Sequence, residues 1–136
     1  MNCEVCNSIG DIHHIVHRRE GGLNFNINYK YLCKTHHRGI HGPHRNRVID
    51  YTYKLEMQNL LYSTFSNTYY SLHEINNILK ISISSRKKIS RNVFLYKEGY
   101  KNVELIFFLM GSKFYSDYGL EDLILQTAID MEKSLY

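Results

Sequence analysis

Four metal-binding side chains in a stretch too polar to fold by itself constrain this chain more than any other feature. Cys3-Glu4-Val5-Cys6 is a C-x2-C knuckle, and Cys33-Lys34-Thr35-His36 is a C-x2-H pair separated from it by 26 residues. Residues 1–45 hold few apolar side chains, and a unit of about 40 residues generally needs a disulfide, a metal or a partner to hold together. Three cysteines occur among the 136 residues, so they cannot all pair off. Four soft or borderline ligands presented on two turns are what tetrahedral Zn²⁺ requires. Cys3, Cys6, Cys33 and His36 are therefore the expected ligands of a structural zinc, with His17 and His37 competing for the fourth position. The alternative is a Cys3–Cys6 redox pair beside a Cys33 buried as a small apolar group.

Charge gathers in the same segment. The net charge is +4, and residues 1–47 contain seven Lys/Arg against three Asp/Glu, whereas residues 48–136 contain ten of each. Seven of the eight histidines, at 13, 14, 17, 36, 37, 41 and 44, lie there too. A basic, histidine-dense segment points to a polyanionic partner and to at least one metal. Neighbours on an extended chain face opposite sides, so His13 and His14 have separate tasks. His37 and His41, four apart, would share one face of a helix, with His36 rotated away toward the zinc knuckle. A single divalent ion held by His13, His37 and His41 would keep open positions for a phosphate oxygen and water, where it could polarise the phosphoryl group. His14 would then be free to take a proton from the attacking water, since imidazole is the side chain that changes charge near neutral pH.

Cys3-x2-Cys6, His13-His14-Ile15, Gly21-Gly22, Asn28, Leu32-Cys33, His36-His37 and His41 together resemble the zinc-stapled HNH endonucleases of the His-Me finger type. The resemblance covers residues 1–45. It implies a ββα-metal hairpin and helix around one divalent ion (Mg²⁺, Mn²⁺, Ni²⁺ or Zn²⁺) and hydrolysis of a DNA phosphodiester to 5′-phosphate and 3′-hydroxyl ends. By position His14 matches the general base, His13 the preceding metal ligand, and Asn28 the middle asparagine that ties the hairpin loop and helps orient the base. His37 matches the third motif residue, a metal ligand, and His41 the further histidine of the colicin-like subset. Two positions depart from the family: His36 stands where cysteine is common, and His17 where proline is frequent.

The remaining residues set the expected frame. Gly21-Gly22 reads as the turn between two strands, and Asp11 as the residue opening the first. Arg18, Arg19, Arg38, Arg45 and Arg47 flank the histidines and are candidates for phosphate contact. Gly42-Pro43 and the polar run after it mark a boundary near residue 45. Beyond it the periodicity predicts a helix from Val48 to about Phe65, a helix opened by the capping box Ser71-x-x-Glu74, another beginning near Ser84 or Ser85, and a last one from Asp117 to about Lys133. The last helix should bury Leu120, Leu123, Ile124, Ala128 and Met131, and Leu105–Leu109 should be core. Residues 71–92 have the rhythm of a helix-turn-helix DNA reader, in which Arg86, Lys87, Lys88 and Arg91 would contact DNA, although Lys80 stands where the turn usually prefers glycine.

The expected architecture is thus α+β: a small zinc-stapled ββα-metal nuclease module over 1–45 and a mainly helical region over 46–136, acting on DNA as a monomer or homodimer. No apolar run is long enough to span a bilayer and no secretory start is visible, so the cytoplasm, that of a host if the chain is phage-encoded, is the expected compartment. Two other readings compete: a zinc-dependent DNA-binding regulator without catalysis, and an RNase using the same site.

Overall fold

The computed structural model describes residues 1–135. It is α+β. Strands β1 (Asp11–His14) and β2 (Tyr29–Leu32) pair antiparallel with His13 opposite Lys30 and His14 opposite Tyr29. A short helix α1 (Lys34–Arg38) follows directly from β2. Helix α2 (Arg47–Thr64) is opened by Asn46, whose Oδ1 accepts from the amides of Val48 and Ile49 at 3.1 and 3.2 Å, satisfying donors that a helix start otherwise leaves bare. Next come β3 (Tyr69–Tyr70), α3 (Leu72–Leu79), α4 (Ile83–Asn92), β4 (Leu95–Tyr96), β5 (Gly99–Lys101), α5 (Asn102–Leu109) and α6 (Asp117–Lys133). The Ser71/Glu74 capping box forms as its sequence predicts, with Ser71 accepting from the Glu74 amide and Glu74 from that of Ser71.

The β1–β2 connection departs from a tight glycine turn. Residues 15–28 form a long excursion containing two 3₁₀ turns, Arg18–Glu20 and Asn26–Asn28. Gly21 closes the first at φ +94°, and Gly22 lies against the Val16 carbonyl, where a Cβ would come within 1.8 Å of the oxygen. The excursion buries Ile15, Val16, Leu23 and Phe25 in one apolar cluster with Met57, Leu61, Phe65, Ile75, Ile89, Leu105, Ile106 and Leu109. Full burial of a side chain of this size is worth about 1.5–3 kcal/mol over leaving it exposed. The composition break near residue 45 is therefore not a break in packing, because the histidine loop contributes to the core that α2, α3, α4 and α5 supply.

Two expectations shift toward the C-terminus. Phe107 and Phe108 stay only partly buried while Leu105, Ile106 and Leu109 are fully enclosed. Helix α6 contains no fully buried residue; Ile124 and Met131 are exposed, and its half-buried Leu120 and Leu123 mark the face with the most cover. A 17-residue helix lying on a small core reaches it along one edge only, so a stripe that looks like a core face from its period alone remains largely in solvent. Among the described residues no helix is long and apolar enough to cross a membrane.

Candidate metal centres

Two clusters of metal-binding atoms gather around β1, β2 and α1 and the segments on either side of them. In the first, Cys6 Sγ lies 3.6 Å from Cys33 Sγ, and His36 Nδ1 lies 3.2 Å from Cys33 Sγ and 3.8 Å from Cys3 Sγ. A disulfide would need about 2.05 Å, whereas the edges of a tetrahedron built on Zn–S and Zn–N bonds of about 2.3 and 2.05 Å are about 3.6–3.8 Å. The set can hold a structural metal such as zinc, in the four residues that the knuckle spacing predicts. Of the competitors for the fourth position, His37 lies in the other cluster and His17 stacks beside it on His44. Burial pushes the Cys3 thiol up, but backbone hydrogen bonds from Cys33, Cys6 and Val5 outweigh it and bring the thiol to about 6, which favours the thiolate that a metal needs. The Cys3 and Cys6 thiols in turn hold His36 above its ordinary value.

The second cluster joins His13, His37 and His44. His13 is 2% exposed, its Nδ1 3.1 Å from His37 Nε2, and His44 Nε2 lies 2.8 Å from the same His37 nitrogen. One imidazole nitrogen offers either one hydrogen or one lone pair, so it cannot satisfy both neighbours, but it can share an ion with them. Burial, followed by the charges of His37, His44, His17 and His14, drives His13 down to about 3. Burial and then Arg38 lower His37, and burial and then His37 lower His44. Three neutral imidazoles keep the lone pairs that a metal uses. The other ring nitrogen of His13, Nε2, is buried without a partner.

His41 is not in this cluster. Helix α1 ends at Arg38, so the four-residue helical spacing from His37 to His41 never forms, and His41 is exposed. Instead the chain doubles back through Gly42-Pro43 and delivers His44. A Cβ at Gly42 would come within 2.5 Å of the His37 carbonyl oxygen, so only glycine allows this close return. The turn itself was the sequence signal that helical counting had to stop before residue 41.

His14 turns away from His13, as alternation on β1 dictates, and is half-exposed. Its Nε2 donates to Asn24 Oδ1 at 2.8 Å, and its ring stands edge-on to Tyr29 with 5.2 Å between centroids. Asn28 is 0% exposed: its Oδ1 accepts from Val16 N at 2.7 Å, and its Nδ2 donates to Val16 O at 3.1 Å and Leu23 O at 2.8 Å. It thus ties the loop that follows His14, and the partner touching the imidazole is Asn24. Nothing in the sequence marks Asn24, which lies in irregular backbone and belongs to no motif.

His17 stacks on His44, with 5.3 Å between centroids and planes 22° apart. Its Nε2 is 3.6 Å from Glu20 Oε1 and 3.8 Å from Asp50 Oδ1. Behind these carboxylates the buried Lys54 Nζ lies 3.2 and 2.9 Å from the Glu20 oxygens and 3.0 Å from Asp50 Oδ2. Arg19, Arg45 and Arg47 are exposed and, with His17 and His44, line a cavity of about 230 Å³. Arg18 and Arg38 are exposed and do not line it; Arg38 acts on His37 through its charge. The chain matches no protein-family model, no curated protein and no solved structure.

Proposed function

We propose that this chain is a metal-dependent HNH endonuclease that hydrolyses DNA phosphodiester bonds. The observation carrying the reading is the division of labour on β1: His13 is buried in a three-histidine cluster, while its neighbour His14 faces the other way with one ring nitrogen anchored to Asn24. A binding module has no need of a second ligand cluster beside the zinc knuckle, nor of an anchored imidazole next to it.

In this reading Cys3, Cys6, Cys33 and His36 hold a structural zinc that fixes β2 and α1. His13, His37 and His44 hold a catalytic divalent ion, which when bound supplies positive charge against the phosphoryl group and the departing 3′ oxygen. Because His14 Nε2–H is committed to Asn24, the free lone pair lies on Nδ1, the atom that accepts the proton from the attacking water. Asn28 keeps the loop after His14 in register by closing three backbone groups. Arg19, Arg45 and Arg47 grip phosphates beside the cluster, and Arg18 and Arg38 add to the field that draws the polyanion in. One such site cuts one strand at a time, so a homodimer is the simple route to a double-strand break.

Incubating the protein with supercoiled plasmid, single-stranded DNA and RNA, each with Mg²⁺, Mn²⁺ or EDTA, tests the reading. Metal-dependent nicking or linearisation of the plasmid is the expected result. Intact plasmid under every metal condition, or cleavage confined to RNA, would refute it.

A further inference from the structure

A second surface suited to DNA lies away from the histidines. From α2 onward the elements run helix, strand, helix, helix, strand, strand, and the three strands lie side by side in the order β3-β5-β4. The β4–β5 hairpin therefore folds back beside the strand that precedes α3, forming a wing next to α4. Only Lys80, Ile81 and Ser82 join α3 to α4. Lys80 takes the left-handed conformation at φ 52°, the role glycine usually fills in such a turn, and Ile81 is buried as the pin of the corner.

Helix α4 buries Ser85 and Ile89, one turn apart. Ser84, Lys87, Lys88 and Arg91, spaced i, i+3, i+4 and i+7, form an exposed stripe. The helix contains no acidic residue, and among the described residues none of its cations forms an ion pair. Arg86 Nε is buried without a partner. The hairpin turns at Lys97-Glu98, both exposed, so its tip carries one cation beside one carboxylate, and Phe94 at its base is 65% exposed and packed edge-on against Tyr96.

We infer that this winged helix-turn-helix unit binds duplex DNA, with α4 in the major groove and the hairpin tip against the neighbouring backbone. The unit shares its substrate with the endonuclease reading but not its site. The B-form major groove, about 12 Å wide, admits a helix, whereas the deep, narrow groove of duplex RNA does not. A single-strand binder would instead line its contact surface with aromatic faces for stacking, whereas α4 contains no aromatic residue and presents Ser84, Lys87, Lys88 and Arg91.

The test is duplex affinity in the full-length His14→Ala protein, which removes cleavage without a chelator. Fluorescence anisotropy with a mixed-sequence 30-mer duplex is followed over a salt series for that parent and for added Lys87→Ala/Lys88→Ala, Arg91→Ala, Lys97→Ala and, as a control on α6, Lys133→Ala. The double variant should bind about tenfold or more weakly, with a salt slope lower by about one for each phosphate contact removed. Arg91→Ala and Lys97→Ala should weaken binding less, and the control should leave it unchanged. Unaltered affinity and slope in the α4 and hairpin variants, or tighter binding of single-stranded DNA or RNA of equal length, would overturn the inference. A wild-type protein that binds duplex through these residues yet cuts nothing removes the endonuclease reading alone.

Discussion

His14 and Asn24, ten residues apart in sequence, meet across the hairpin loop with the ring Nε2 donating to the amide Oδ1 at 2.8 Å. That bond fixes both the tautomer of the imidazole and the direction of its free lone pair. His14→Ala should lower kcat for plasmid cleavage by about 10²–10⁴-fold, the usual contribution of a general base, with bound metal and DNA affinity unchanged. Asn24→Ala should lower kcat by roughly tenfold at unchanged KM, and Asn24→Asp, which keeps an acceptor, should recover most of the loss. Equal activity in Asn24→Ala and wild type would remove its positioning role.

Metal content separates the two clusters. Native mass spectrometry should find one tightly held zinc, lost in Cys6→Ser and Cys33→Ser together with several degrees of thermal midpoint, because the knuckle contributes only Cys3 and Leu32 as buried apolar side chains and relies on the metal, while the core shared with α2–α5 keeps its helices. A thermal midpoint indifferent to chelator would contradict this.

His44→Ala should weaken binding of a second divalent ion by at least about tenfold, while His41→Ala should leave it unchanged. Titration calorimetry with Mn²⁺ or Ni²⁺ on zinc-loaded protein reads the difference directly, and equal losses in both variants would restore His41 to the site.

Lys54→Met should destabilise the fold by about 2–3 kcal/mol, less than the loss of one partner from a fully enclosed ion pair because Glu20 and Asp50 keep some solvent contact. Burial pushes the Glu20 carboxyl up, but hydrogen bonds from Lys54 and the His17 backbone hold it below its ordinary 4.5. Its contribution is therefore present above that value and is lost as pH falls through the lower folded value. Burial lowers Lys54, but Glu20 and Asp50 outweigh it and raise the ammonium above 10.5, so this contribution is complete below 10.5 and fades as pH rises through the higher folded value. Urea unfolding across the pH range should show a plateau between these limits in wild type, with both flanks reduced in Lys54→Met.

Residues whose role depends on local spacing were legible in the sequence. The zinc knuckle, the opposed faces of His13 and His14, the Ser71/Glu74 cap and the bounds of α2 and α6 all follow from periods of two, three or four residues. What stayed hidden depends on contacts between distant segments. His44 reaches the cluster only because the chain reverses at Gly42-Pro43; Asn24 meets His14 through irregular backbone. His17, which spacing offers only as a competitor for the zinc, lies instead against Glu20 and against Asp50 of a helix that starts thirty residues later. The apolar side chains of the histidine loop were visible, but not that they share a core with α5.

Helix α2 presents Asp50 and Lys54 to the histidine loop from its first turns and Met57 and Leu61 to the central core from its middle. Each residue advances an α-helix by about 100°, so the two duties are locked in phase. One residue inserted between Lys54 and Met57 would turn either the charges or the apolar anchors away from their partners. The histidine loop and the unit running from α2 to β5 therefore cannot be exchanged between proteins as separable cassettes at this junction; a recombinant that kept both would have to inherit α2 whole.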